Sequence, residues 1–269
     1  NMNKIKIIRH YPYQIHYQKN SNVPKRWLLL HGFMGSWHDF DDIITQLPGE
    51  VLALNLLGFG NQAPTIDDCQ RFTMSEQVKD LTMILDKYQW SQVTILGYSM
   101  GGRLALGFAL THPQRVSQLL LESTTAGIDS VTARQQRQQA DLTKATLILD
   151  NFEAFVLRWE KLPLFKTQQD MPLESKQKMR RQRMAQNPKN VAQALIYMGT
   201  GSQPNYWPYL DKIDFPSTII VGEHDQKFNL IGDKMMALIP QAKKIVIAGA
   251  GHNVHFEQPK AFIEAMQYV

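Results

Sequence analysis

The sequence predicts an α/β fold: a mostly parallel central sheet with flanking helices and an inserted helical lid. Three observations predict it. Strand-like apolar runs alternate with helical patterns along most of the 269 residues. The stretch VTILGYSMGGR, Val93 to Arg103, turns sharply from an apolar run into a helical pattern at Ser99. From about Gly127 the alternation stops, and three or four helical stretches follow before a strand pattern resumes at Ser217. These features predict a core of residues 1–126 and 206–269 and a helical cap of residues 127–205.

Ile5–Ile8 and Tyr13–Gln18 alternate loosely and are expected to pair as an edge hairpin. Trp27–Leu30 reads as a buried strand, Trp37–Leu47 as a helix and Val51–Asn55 as a second buried strand. LLGFGNQAP is a glycine-rich loop ended by Pro64. Met74–Tyr88 spaces Val78, Leu81, Ile84 and Leu85 as a covering helix does. The strand before Ser99, a helix to Thr111 and a strand over Val116–Glu122 continue the rhythm. The lid helices are expected at Val131–Thr143, Phe152–Trp159, Leu173–Gln186 and Asn190–Met198. Ser217–Gly222 and Ala242–Ile247 then read as strands, Leu230–Ile239 and Pro259–Tyr268 as helices.

Gly97-Tyr98-Ser99-Met100-Gly101 fits G-x-S-x-G. Small residues two before and two after the serine let strand and helix approach closely, and the strained turn aims the hydroxyl outward. The loop His31–Ser36 follows an early central strand, where such a site takes one oxyanion-stabilising N–H; the other comes from the residue after the nucleophile. These would be Phe33 and Met100. Asp225 and His252 each follow a late strand, and the order Ser99, Asp225, His252 is the one such a site requires. Alone each is an ordinary loop residue; their combination points to a catalytic triad. His31 reads as a loop-stabilising residue, and His224 and His255 lack the strand-end placement of His252.

An apolar content of 43% supports one large core, and no apolar run is long enough to span a bilayer. The first residues lack a secretory pattern, so a cytoplasmic location is expected. The lone Cys69 has no partner for an internal disulfide. The histidines are scattered, so neither a metal nor another cofactor is expected. No zinc-finger spacing or long basic run suggests nucleic acid. The net charge of +5 is concentrated in residues 127–205, where twelve Lys and Arg face seven Asp and Glu. A basic cap over a reactive serine suggests a small anionic substrate.

HGFMGS, GYSMGG, GEHD and GAGH together resemble the α/β-hydrolase fold family over essentially the whole chain. GYSMGGR, GEHDQKF, ARQQ, the tryptophan before a Pro-x-Phe and the Arg-x-x-x-Asn of the lid more narrowly resemble the pyruvate-eliminating synthases of menaquinone biosynthesis. That resemblance implies a lyase whose triad abstracts a proton from a tricarboxylate. It implies that Arg103, Arg134 and Arg183 clamp the carboxylates while Tyr98 and Trp159 line the pocket. Arg137 rivals Arg134, and Arg180 and Arg181 adjoin Arg183. A serine carboxylesterase, a carbon–carbon bond hydrolase and a noncatalytic ligand receptor are the competing readings. The oligomeric expectation is a monomer or homodimer.

Overall fold

A computed structural model describes residues 2–269. The chain runs β1 (Met2–Ile8), β2 (Tyr11–Lys19), β3 (Arg26–Leu30), α1 (Asp41–Ile44), β4 (Glu50–Leu54), α2 (Met74–Lys87), β5 (Val93–Tyr98), α3 (Met100–Thr111) and β6 (Val116–Glu122). Four helices follow without a strand: α4 (Val131–Asp150), α5 (Phe152–Trp159), α6 (Leu173–Met184) and α7 (Pro188–Tyr197). β7 (Ser217–Gly222), α8 (Gln226–Leu238), β8 (Ala242–Ile247), α9 (Val254–Glu257) and α10 (Pro259–Met266) complete it.

The eight strands form one sheet in the order β1-β2-β4-β3-β5-β6-β7-β8. β2 pairs antiparallel with both β1 and β4, and every later pair is parallel. The parallel strands are buried on both faces because side chains alternate between two helical layers. Leu28, Leu30, Ile95, Leu119 and Leu121 pack with α2 and α3, whereas Leu29, Leu96, Leu120 and Ile220 pack with α1 and α10. The loops that carry Phe33, Ser99, Asp225 and His252 therefore gather at the carboxyl ends of β3, β5, β7 and β8.

Several boundaries differ from the sequence expectation, each for a local reason. The helix expected over Trp37–Leu47 is a 3-10 turn at Trp37–Phe40 followed by the short α1, because Phe40 departs from helical geometry and Pro48-Gly49 ends the segment. α4 extends to Asp150, since Ala145 and Ile148 continue its buried face until Asn151 caps α5. α8 begins at Gln226 rather than Leu230 because the Asp225 carboxylate accepts the Phe228 N–H at 3.3 Å. A 3-10 segment at Pro163–Asp170 was absent from the sequence reading.

The inserted helices are tied to the core by polar contacts. The Gln186 amide, at the end of α6, donates to the carbonyls of Met34 and Gly35 at 3.2 and 3.1 Å and accepts the Gly60 N–H at 2.8 Å. Asn190 donates to Pro64 O at 2.9 Å. Among the described residues no helix is long and apolar enough to cross a membrane.

β5 and α3 approach so closely that glycine is required between them. A Cβ on Gly101 would collide with the carbonyl oxygens of Leu30 and His31, and one on Gly97 with the backbone of Gly101. Gly101→Ala is therefore expected to destabilise the protein by about 1–3 kcal/mol, read as a lower urea midpoint at unchanged slope.

Candidate active site

Ser99 sits between β5 and α3 with φ 51° and ψ −109°, a strained conformation for a residue with a side chain. Three hydrogen bonds hold it there. Its N–H donates to Glu122 O at 2.9 Å, and its carbonyl accepts from Thr124 Oγ1 at 2.7 Å and from the Arg103 N–H at 3.1 Å. The side chain is left facing a cavity.

His252 Nε2 lies 3.3 Å from Ser99 Oγ, and His252 Nδ1 lies 2.8 Å from Asp225 Oδ2. Both His252 and Asp225 are buried. An acceptor-only carboxylate on Nδ1 assigns the proton to that nitrogen, which leaves the Nε2 lone pair toward the serine. Asp225 thus serves twice: one oxygen caps α8 and the other orients the imidazole. Phe228 packs its ring 4.7 Å from that of His252, limiting the rotations open to the base.

The Phe33 N–H makes no hydrogen bond among the described residues, and Met100 opens α3, where N–H groups lack intrahelical acceptors. Both residues line the cavity beside Ser99. His31 braces their loop from beneath: its Nδ1 donates to Gly32 O at 2.7 Å and its Nε2 accepts from the Leu56 N–H at 2.9 Å. Burial lowers its pKa to about 4, so it remains neutral.

The cavity, about 300 Å³, is bounded by the sheet's carboxyl end below and the inserted helices above. Arg103 is buried beside it. Its Nη1 donates to Met198 O at 2.6 Å and Gln203 Oε1 at 2.8 Å, and among the described residues no carboxylate closes an ion pair with it, the nearby Asp141 being paired with Arg137. Burial, reinforced by Arg137, pulls its pKa down to about 10, which still leaves it charged at neutral pH. Arg183 on α6 also lines the cavity, 3.4 Å from Glu160 Oε1 and with its guanidinium 5.5 Å from the centre of the Phe165 ring. Burial lowers its pKa against the opposing pull of Glu160.

Arg134 departs from the expectation. It is not part of the cavity wall, because its guanidinium is committed to the carbonyls of Gly201 at 3.4 Å and Gln203 at 3.2 Å. Arg137, one turn further along α4, lines the cavity instead and pairs with Asp141 at 3.1 Å. Arg180 lies outside the wall, bound to Glu160 at 2.6 Å, and Arg181 is likewise outside. Tyr98 and Trp159 both line the cavity; Trp159 packs against Phe33 at 5.1 Å and Phe165 at 5.8 Å.

Among the lining residues that the sequence did not single out are Asp39, Phe165, Lys227 and Gln182. Asp39 had a readable signal, since Ser36-Trp37-His38-Asp39 is a capping box. Lys227 stood within GEHDQKF, but only the fold turns it toward the chamber. Of the other histidines, His224 is exposed, whereas His255 is buried and paired with Glu122 at 2.8 Å. Among the described residues no cluster of His, Cys, Asp and Glu has the arrangement of a metal site.

A sequence model of the α/β hydrolase fold family matches residues 27–259. The chain is 39% identical over 243 residues to a putative 2-succinyl-6-hydroxy-2,4-cyclohexadiene-1-carboxylate synthase from Bacillus subtilis (strain 168), covering 90% of this chain and 88% of that protein. It is 29% identical over 238 residues to the 2-succinyl-6-hydroxy-2,4-cyclohexadiene-1-carboxylate synthase of Enterobacter sp. (strain 638), covering 87% and 88%. Among solved structures, MenH from S. aureus matches with a TM-score of 0.89 at 35% identity, covering 94% of this chain and 96% of that one. The chain belongs to the α/β-hydrolase fold family and, within it, to the family of 2-succinyl-6-hydroxy-2,4-cyclohexadiene-1-carboxylate synthases.

Proposed function

We infer that the chain is a carbon–oxygen lyase. It eliminates pyruvate from 2-succinyl-5-enolpyruvyl-6-hydroxy-3-cyclohexene-1-carboxylate to give 2-succinyl-6-hydroxy-2,4-cyclohexadiene-1-carboxylate. The observation that carries this reading is a buried Arg103 that, among the described residues, closes no ion pair, the nearby Asp141 being taken by Arg137, in the same chamber as a Ser99–His252–Asp225 relay. A buried guanidinium hydrogen-bonded only to neutral acceptors keeps its attraction for an incoming carboxylate.

In the reaction, His252 Nε2 accepts the Ser99 hydroxyl proton while Ser99 Oγ takes a proton from the substrate carbon. Asp225 holds the imidazole and stabilises the imidazolium that forms. The electron pair left on ring carbon 2 forms the 2,3 double bond, the ring's 3,4 double bond moves to 4,5, and the carbon–oxygen bond at carbon 5 breaks. The enolpyruvyl group leaves as the enolate of pyruvate, which is protonated on carbon to pyruvate, and the proton held by His252 is given up so that the relay is restored. Negative charge developing along this path is met by the Phe33 and Met100 N–H groups. Arg103 and Arg183 bind substrate carboxylates, with Arg137 as the α4 residue on the cavity side. Arg134 acts at one remove, bracing the turn that carries Gln203 against Arg103. Tyr98 and Trp159 form the walls, and residues 127–205 act as the cap that closes the chamber.

The test is pyruvate release from the enolpyruvyl precursor. Arg103→Met should lower kcat/KM by about 10- to 100-fold, mostly through KM, because it removes a charge-assisted contact. The competing ester-cleaving reading predicts a trappable acyl-Ser99 from an activated ester and no pyruvate from the precursor. That pair of results would overturn the lyase assignment.

A further inference from the structure

The cavity wall carries four basic side chains, Arg103, Arg137, Arg183 and Lys227, and a single acidic one, Asp39. A carboxylate facing a chamber for a polyanion opposes binding unless it is neutral when the ligand is present.

Its placement is built in. Asp39 is the third residue after the Ser36 N-cap of the turn Trp37–Phe40, and its Oδ2 accepts the Ser36 N–H at 3.4 Å. Gly35 makes room for it, since a Cβ at that position would overlap Asp39 Oδ2. The loop that carries Phe33 therefore ends on this carboxyl group, which is half-buried.

The titratable and charged groups around it are Arg183 from α6, His255 from α9, Asp41 from α1 and the Tyr98 hydroxyl from β5. Neither cation closes an ion pair with Asp39. Arg183 is taken by Glu160 at 3.4 Å, and His255 by both oxygens of Glu122 at 2.9 and 2.8 Å. Asp39 is left facing two cations that other carboxylates already hold.

We propose that Asp39 is a proton-linked placeholder for the anion seat at Arg183. In the empty cavity its carboxylate faces that guanidinium; when an anionic ligand arrives, Asp39 takes one proton from solvent and becomes a neutral hydrogen-bond donor toward the ligand. This rests on the reading of the substrate as a polycarboxylate. The local physics supports it, because burial raises the Asp39 pKa to about 6 against the lowering pull of His255 and Arg183. A ligand carboxylate nearby raises it further. A group whose pKa is raised by ligand takes up protons on binding, so affinity falls as pH rises above the empty-site value.

Two measurements test the proposal. In the first, KM for pyruvate release is followed from about pH 5.5 to about pH 9 in the wild type, Asp39→Asn and Asp39→Ser; the serine variant keeps an oxygen for the Ser36 N–H. The wild-type KM should rise by up to about tenfold per pH unit above about pH 6, and both variants should lose this slope. In the second, citrate is titrated calorimetrically at neutral pH in two buffers of different ionisation enthalpy. The wild type should take up close to one proton and the variants close to none. Variants that keep the wild-type slope, a wild type that binds citrate without proton uptake, or no citrate binding would each overturn the proposal. Absence of pyruvate from the wild type, with proton-linked citrate binding intact, would overturn the lyase assignment and leave the placeholder standing.

Discussion

Ser99→Ala is expected to lower kcat for pyruvate release by about 10³-fold while leaving KM within a few-fold of wild type, as measured by steady-state kinetics on the enolpyruvyl precursor. The asymmetry follows from the geometry. Ser99 Oγ contacts His252 Nε2 at 3.3 Å and faces the cavity, whereas the basic side chains proposed to bind carboxylates line it from α3, α4 and α6. Removing the hydroxyl deletes the proton acceptor and leaves the anion seats intact. The alanine variant also keeps its fold, because the strained turn is fastened by backbone groups of residue 99: its N–H on Glu122 O and its carbonyl on Thr124 Oγ1. An alanine variant with wild-type kcat would remove Ser99 from the mechanism.

Glu122→Ala should be the most damaging substitution for stability, costing about 3–5 kcal/mol by urea denaturation, because it leaves a buried cation without its partner. Glu122 and His255 are fully buried, and the carboxylate accepts from both the His255 N–H and its ring. Burial opposes charge on His255, but the adjacent Glu122 carboxylate prevails and holds its pKa above the ordinary value. A raised histidine pKa contributes stability that is fully present below the unfolded-state value, about 6.5, and is lost as pH rises through the folded value. The deficit of the alanine variant should therefore be largest near about pH 6 and shrink toward alkaline pH. Equal deficits at both ends would argue that packing rather than charge carries the pair. Because the same residue's carbonyl holds the Ser99 N–H and its carboxylate anchors the start of α9, catalysis should weaken alongside stability.

The parts of the site that were legible in the sequence are those set by short-range geometry. The glycines two residues on either side of Ser99 form a short readable motif, Gly97 set by the contact of β5 with α3 and Gly101 by the close approach of α3 to the carbonyls of Leu30 and His31 at the end of β3. Asp225 and His252 were readable because each follows a short apolar strand, and strand ends in a parallel sheet converge whatever the intervening length. Arg134 and Arg137 were not separable in this way. Both lie on the side of α4 near the 199–203 turn, and which guanidinium reaches the chamber depends on the carbonyls of Gly201 and Gln203, set by distant parts of the chain. Asp225 hid the start of α8 for a related reason: a residue assigned to catalysis is also the helix cap.

Periodicity, neighbouring residues and composition are enough to read the α/β class, the elbow at Ser99, the order Ser99, Asp225, His252 and the concentration of basic charge in residues 127–205. Which charges are spent and which remain available is set by long-range packing. Arg134 is consumed by backbone and His255 by Glu122, Arg183 is shared between Glu160 and the cavity it lines, and Arg103 donates to neutral acceptors while Asp39 lies near cations that other carboxylates hold. A charge's availability depends on the partner within a few ångströms and on the water excluded around it, and both arise when segments far apart in the chain pack together.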